Sequence, residues 1–204
     1  LRQLRQYAQY QTQYPGKEVI DAALWDTVLY TSAATVALTF FNALRATIDL
    51  SNMRAAGQLP AGESFMIRAI RVFFKGRPES TATAAAGAVQ PDAIDDIAQL
   101  VDSGVLQLNI GQKDYGIYPL YLLAAGGGPY GGIAVENILV AGAAASYGQN
   151  GDPHIYNTFT LSVPILIKSQ INFNCVLTWP AALTLIRNVN IQVVLDGDLI
   201  RSIQ

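Results

Sequence analysis

Cysteine, histidine and charge are scarce in this chain. Its 204 residues hold one cysteine, Cys175, and one histidine, His154. A single cysteine closes no internal disulfide, and its place on the apolar side of a strand pattern reads as a buried thiol, not an activated one. That position also argues against a Cys175–His154 catalytic pair. One histidine, beside Pro153 in a loop pattern, cannot build a histidine-rich metal centre of the cupin kind. Charged residues make up 14% of the chain, against about 25% in an average soluble domain. The formal net charge of −2 gives no electrostatic reason to bind nucleic acid or an anionic membrane. No apolar run reaches the ~18 residues that span a bilayer; residues 33–44 come nearest and are broken by Thr35, Thr39 and Asn42. The first residues carry no secretory signal pattern. The sequence opens on Leu1, not Met, and the expectation is that residues are missing or cleaved before it. These absences set the expectations: not an enzyme, no cofactor, no metal, no transmembrane segment and no specific nucleic acid. A surface this poor in charge is expected to be covered by other subunits.

What is present is alternation, at its clearest over residues 155–204. Phe159, Leu161, Val163, Ile165 and Ile167 are apolar at every second position, as are Ile171, Phe173, Cys175, Leu177 and Trp179, and then Val189, Ile191, Val193 and Leu195. A period of two is that of a half-buried strand. Asp196-Gly197 follows, then a further apolar-rich run to Ile203. An Asp-Gly between two such runs predicts a hairpin turn.

Further strands are expected over 35–41, 47–50, 64–75, 105–110, 115–123 and 133–140, and 19–30 reads as either a short helix or a strand. In 64–75 the inner face is ambiguous, because Arg68 and Arg71 fall on opposite parities. One helix is expected near 91–103: Pro91 or Asp92 opens it, Ile94, Ile97, Ala98 and Val101 form its apolar side, and Gly104 stops it. Its acids, Asp92, Asp95 and Asp96, suit the helix dipole and need no catalytic explanation. Loops are expected over 79–90, 124–132 and 148–153. The count is roughly eight to ten antiparallel strands with one inserted helix, which points to an all-β sandwich. Residues 15–204 form one domain in this reading. Residues 1–14 form an extended N-terminal arm, in which Gln3, Gln6, Gln9, Gln11 and Gln13 alternate with Tyr7, Tyr10 and Tyr14. Tyr brings contact area at low entropy cost and Gln brings hydrogen bonds. Tyr7, Gln9, Tyr10, Gln11 and Tyr14 are therefore candidates for a subunit interface, with a frayed terminus as the plain alternative.

Gly126, Gly128 and Gly131 spell G-x-G-x-x-G after an apolar run. A dinucleotide site would need a helix opening on those glycines, whereas Pro129 interrupts them and no repeated βαβ pattern surrounds them. The stretch reads instead as a loop that presents Tyr130, with Tyr147 on a second loop; both are candidate contact residues. Tyr115 and Tyr118 also fall near loops.

Two segments carry a family resemblance. The run Gly57-Gln58-Leu59-Pro60-Ala61-Gly62-Glu63-Ser64-Phe65 with Ile67-Arg68-Ala69-Ile70-Arg71-Val72, and the ending Val193-Val194-Leu195-Asp196-Gly197-Asp198-Leu199-Ile200-Arg201, resemble single jelly-roll capsid proteins of tailless icosahedral bacteriophages. The resemblance covers about a third of the chain. It implies a jelly-roll β-sandwich that forms capsomers and tiles a shell, with an N-terminal arm reaching neighbours, copies of itself and other capsid proteins as partners, and the virion, assembled in the host cytoplasm, as location. It brings no catalytic residues. The 79–104 insertion and the Gly-rich 124–132 stretch depart from the smallest such proteins. The alternative function is a soluble β-sandwich binding module for a glycan or receptor, or a virion decoration or appendage, using its tyrosines.

Overall fold

A computed structural model describes residues 14–76, 93–125, 127–134, 145–151, 158–185 and 188–203. Alternation does place the strands. β1 (Lys17–Tyr30), β2 (Ala37–Phe40), β3 (Ser64–Gly76), β4 (Val105–Ile110), β5 (Lys113–Pro119), β6 (Gly127–Ala134), β7 (Ala145–Gly151), β8 (Phe159–Ile167), β9 (Phe173–Thr178) and β10 (Val189–Ser202) follow one another, with helix α1 (Ala93–Ser103) before β4 and a one-turn helix α2 (Leu120–Leu123) after β5. One sheet has the order β1-β10-β3-β8 and a second has β2-β9-β4-β5, while β6 and β7 form a separate two-stranded ribbon. All pairings within these sheets are antiparallel. With the ribbon set aside, the order is that of a jelly roll: each sheet draws its four strands alternately from the two halves of the chain. The all-β, jelly-roll sandwich expected from the sequence is the fold observed.

The core lies between the two sheets. Phe65, Ile70, Val72, Ile191, Val193 and Leu195 enter it from the first sheet, and Phe40, Leu106, Leu108, Phe173, Cys175 and Leu177 from the second. Each fully buried side chain of this size contributes about 1.5–3 kcal/mol relative to exposure. At one end Tyr30 and Trp179 meet edge to face, ring centroids 4.9 Å apart. The Trp179 indole N–H donates to the Leu100 carbonyl at 3.0 Å, which also accepts from the Gly104 amide at 3.2 Å in the last turn of α1. Ile97 and Val101 are buried on α1 as expected, together with Leu100 and Asp96.

One extra residue resolves the ambiguity in β3. Leu195 pairs with Ile70 and Asp196 with Ala69, but Gly197 pairs with Ile67, so Arg68 is a bulge. The core positions therefore shift from Phe65 and Ile67 to Ile70, Val72 and Phe74, and Arg68 and Arg71 both reach the outward side. A bulge of this kind changes side-chain parity within one strand.

Several expectations are corrected. Asp196-Gly197 makes no hairpin: β10 runs unbroken through it and β1 pairs along its whole length. Gly197 is needed for another reason, because a Cβ there would stand 1.9 Å from the Met66 carbonyl oxygen at the bulge. Residues 19–30 are strand, and 47–50 form a turn in which the Leu50 and Ser51 amides donate to the Thr47 carbonyl. Residues 120–123 leave the sheet as α2, following Pro119. The Gly-rich stretch from 127 and the 148–151 stretch are strands of the β6–β7 ribbon, not loops. Alternation also fails at Val163, which is 76% exposed. The pairing of β8 with β3 jumps there from Ile165 to Thr160, and Pro164 is accommodated because β8 is an edge strand. The expected loop at 79–90, His154 and arm residues 1–13 lie outside the described residues.

Candidate functional site

Chemistry is sparse among the described residues. No group of three or more His, Cys, Asp or Glu side chains is placed to hold a metal ion. Cys175 is fully buried, and burial first, then the nearby Asp26 carboxylate, push its thiol pKa up, which makes it a poor nucleophile. Gly128 and Gly131 belong to β6, so no helix opens on them to receive a pyrophosphate.

Among the described residues the buried carboxylate of Asp26 is structural. Asp26 accepts from Arg45 Nε at 2.9 Å and Nη2 at 3.0 Å, from the Phe41 amide at 2.6 Å and from the Thr27 amide at 3.1 Å. The side-chain hydrogen bond to Asp26 raises the Arg45 pKa, against a smaller opposing effect of burial. Phe41 adopts a φ of 65°, a conformation that costs a non-glycine residue energy and survives where surroundings hold it. Asp26 holds it at the amide, and the Gly57 amide, donating to the Phe41 carbonyl at 2.6 Å, holds it at the other side. The sequence signal for this cluster is a carboxylate at a core-parity position of a strand.

The two outward sheet faces differ. On the first sheet, Arg68 bridges Asp21 and Asp198. Arg71 grips Asp196 with both Nε and Nη2, its guanidinium 5.5 Å from the Phe73 ring centroid. The Gln192 amide donates to the Thr27 hydroxyl at 3.1 Å. The middle strand β10 is thereby sealed: Gln192, Val194, Asp198 and Ile200 are all buried. The free edge of β1 is sealed as well, because Asn52 Nδ2 donates to the Ala23 carbonyl at 2.7 Å and Asn52 Oδ1 accepts from the Trp25 amide at 2.9 Å. A side chain bonded this way occupies the groups another strand would use.

The second sheet is open. Its outward residues are Ala37 and Thr39 on β2, Asn174, Val176 and Thr178 on β9, Val105, Gln107 and Asn109 on β4, and Ile117 on β5, none of them buried. These are uncharged, and Ile117 is 65% exposed, but Asp114 pairs with Asn109 and puts an exposed carboxylate on the same face. Lys113 and Asp114 stand at the turn end of β5.

Between the edge strands β5 and β8 lies a groove of about 640 Å³, lined by Tyr115, Tyr118, Phe159, Val163, Pro164 and Lys168 among others. Tyr118 and Phe159 meet edge to face across it at 5.3 Å, and burial pushes the Tyr118 hydroxyl pKa up. Tyr118 folds back over Gly116, where a Cβ would clash with its phenol. A smaller cavity of about 110 Å³ lies beneath Leu59 and Phe65, beside the Arg54–Glu63 ion pair.

Of the expected contact residues, Tyr14 is half-buried and its carbonyl accepts from the Lys17 amide at 3.2 Å. It closes a turn on Pro15 and Gly16, whose φ is 74°. Tyr7, Gln9, Tyr10 and Gln11 lie outside the described residues. Tyr130 and Tyr147 sit on paired strands, Tyr130 opposite Gln149 and Tyr147 opposite Gly132, so neither is a loop residue. Tyr115 and Tyr118 are brought to one groove, and Phe159 joins them unforeseen. No helix among the described residues is long and apolar enough to cross a membrane. No protein-family model matches this chain, and no curated protein does.

Proposed function

We propose that this chain is a structural virion protein, a capsid subunit that assembles with copies of itself and with other capsid proteins into an icosahedral shell of bacteriophage type. The observation that carries the reading is the strand order β1-β10-β3-β8 facing β2-β9-β4-β5. This is the jelly roll used by viral capsid proteins, lectins and cupins. Fold alone does not choose among them. A cupin site needs clustered metal ligands, and the described residues group none. The low charge, 14%, and the outward face of the second sheet, where among the described residues Asp114 is the one charge beside mostly β-branched and amide side chains, favour a protein that is covered by neighbours. The family resemblance of the 57–72 and 193–201 segments points the same way. In this reading Tyr7, Gln9, Tyr10, Gln11 and Tyr14 dock on an adjacent subunit, and the virion is the protein's location.

The second reading, a binding module for a glycan or receptor, is favoured by the groove holding Tyr115 and Tyr118. Deleting residues 1–13 separates the two. A capsid subunit loses higher assembly and keeps its fold by circular dichroism. A binding module keeps both its oligomeric state and its retention on a glycan array, and that result would remove the capsid reading.

A further inference from the structure

We infer that the first half of β1, residues 17–22, is a detachable strap: it opens from β10 as a unit, hinged at Ala23, while the second half of the strand stays in the sheet. The inference stands on the fold alone and does not need the capsid reading.

Burial divides the strand. None of residues 17–22 is buried, whereas Asp26, Thr27 and Tyr30 are. Bonding divides it at the same place. From Ala23 onward β1 is held on both sides. β10 pairs with it on one side. On the other, Asn52 bonds the Ala23 carbonyl and the Trp25 amide, and the Ser51 hydroxyl donates to the Trp25 carbonyl at 3.0 Å. Asp26 then ties the strand to Arg45 and Phe41. Over 17–22, β10 is the only strand partner among the described residues. The cavity of about 110 Å³ marks the boundary as well, because its wall includes Ala22, Ala23 and Leu24 of β1 and Leu199 of β10. Empty space there removes contacts that would bind the two halves into one unit.

Charge holds the strap closed. Glu18 and Arg201 are direct partners across the two strands and pair at 2.9 Å, both exposed. Asp21 stands opposite Asp198, a like-charge placement that costs stability, and Arg68 from β3 bridges the two. The Asp21 side chain is 87% exposed, so this attachment too is open to water. Exposed pairs are worth little, and salt weakens them further. A segment with few buried contacts and solvent-facing backbone bonds opens at lower cost than the core. Opening exposes one flank of Ile200, which is buried opposite Val19, and that burial keeps the closed form the major one. The open form adds about 20 Å of free chain ahead of Ala23. It also bares the β10 edge from Gly197 to Ser202, whose unpaired amides and carbonyls can take an added strand.

Amide hydrogen exchange on the full chain tests this, read at the β1 amides that donate to β10. Those within 17–22 are expected to share one protection factor, at least about a hundredfold below that of 26–30. Raising NaCl to about 0.5 M should lower the first value roughly two- to fivefold and leave the second unchanged. Glu18→Arg should do the same at low salt, and adding Arg201→Glu should restore protection. The 26–30 amides report on the fold of each variant. Uniform protection along β1 overturns the inference. Weak protection of 17–22 that ignores both salt and the charge reversal overturns the electrostatic hold.

Discussion

The Met66 carbonyl oxygen lies 1.9 Å from where a Cβ on residue 197 would stand, and Gly197 is what lets β3 and β10 approach there. Both strands are central, each paired on its two sides, so neither can yield easily. Gly197→Ala is expected to cost at least the 1–3 kcal/mol typical of overpacking. Gly62→Ala is the control: Gly62 has a φ of 83° and open space around it, so only backbone strain of about 1–2 kcal/mol applies. Urea unfolding of the two variants should place the Gly197 midpoint lower.

Asp26 is the next point of failure. Asp26→Ala removes the partner of Arg45 and the acceptor for the Phe41 amide. Breaking one side of a buried pair costs about 3–5 kcal/mol, and denaturant unfolding should report a loss in that range. Arg45→Ala strands the Asp26 carboxylate and should be comparably severe. Arg201→Ala, from the exposed Glu18–Arg201 pair, should change stability by less than about 1 kcal/mol.

Cys175 predicts an alkaline limit on stability. Its folded pKa is raised above the ordinary 9.0, so the unfolded chain releases the thiol proton first as pH rises. The contribution is fully present below the unfolded pKa and is lost progressively as pH rises above it. The loss is at most about 1.4 kcal/mol per pH unit for one proton. Unfolding midpoints measured from pH 7 to pH 10 should fall more steeply for the natural chain than for Cys175→Ala. Tyr118, also raised, adds a loss of the same sign that begins near pH 10. A thiol reagent should modify Cys175 only after denaturant is added.

The Trp179 indole links the sandwich to α1 through the Leu100 carbonyl. Trp179→Phe keeps a ring in the core and removes one of the two donors to that carbonyl, the Gly104 amide remaining, at a cost of about 0.5–1.5 kcal/mol. Amide exchange over 97–104 should speed up more than exchange over β9.

Much of the fold was legible because period-two alternation survives wherever one face is buried: Phe173, Cys175 and Leu177, or Val189, Ile191 and Val193, read directly as core. The bulge left a trace in the parity conflict between Arg68 and Arg71, but its location depends on β10, a partner remote in sequence. Asp196-Gly197 misled because the same dipeptide that fits a tight turn also fits a close backbone approach, and only the position of Met66 distinguishes them. The β6–β7 ribbon was hidden by glycines, which carry no hydrophobic alternation. The open and sealed sheet faces were not legible at all, since both read as polar positions between apolar ones. What separates them is which side chains pair across strands.

The most direct test of the capsid account is the mass of the purified chain by light scattering after gel filtration, with negative-stain images of the same peak. The account predicts capsomers or closed shells, alone or on adding a second capsid protein. A single species that stays monomeric at high concentration, and in that mixture, would contradict it.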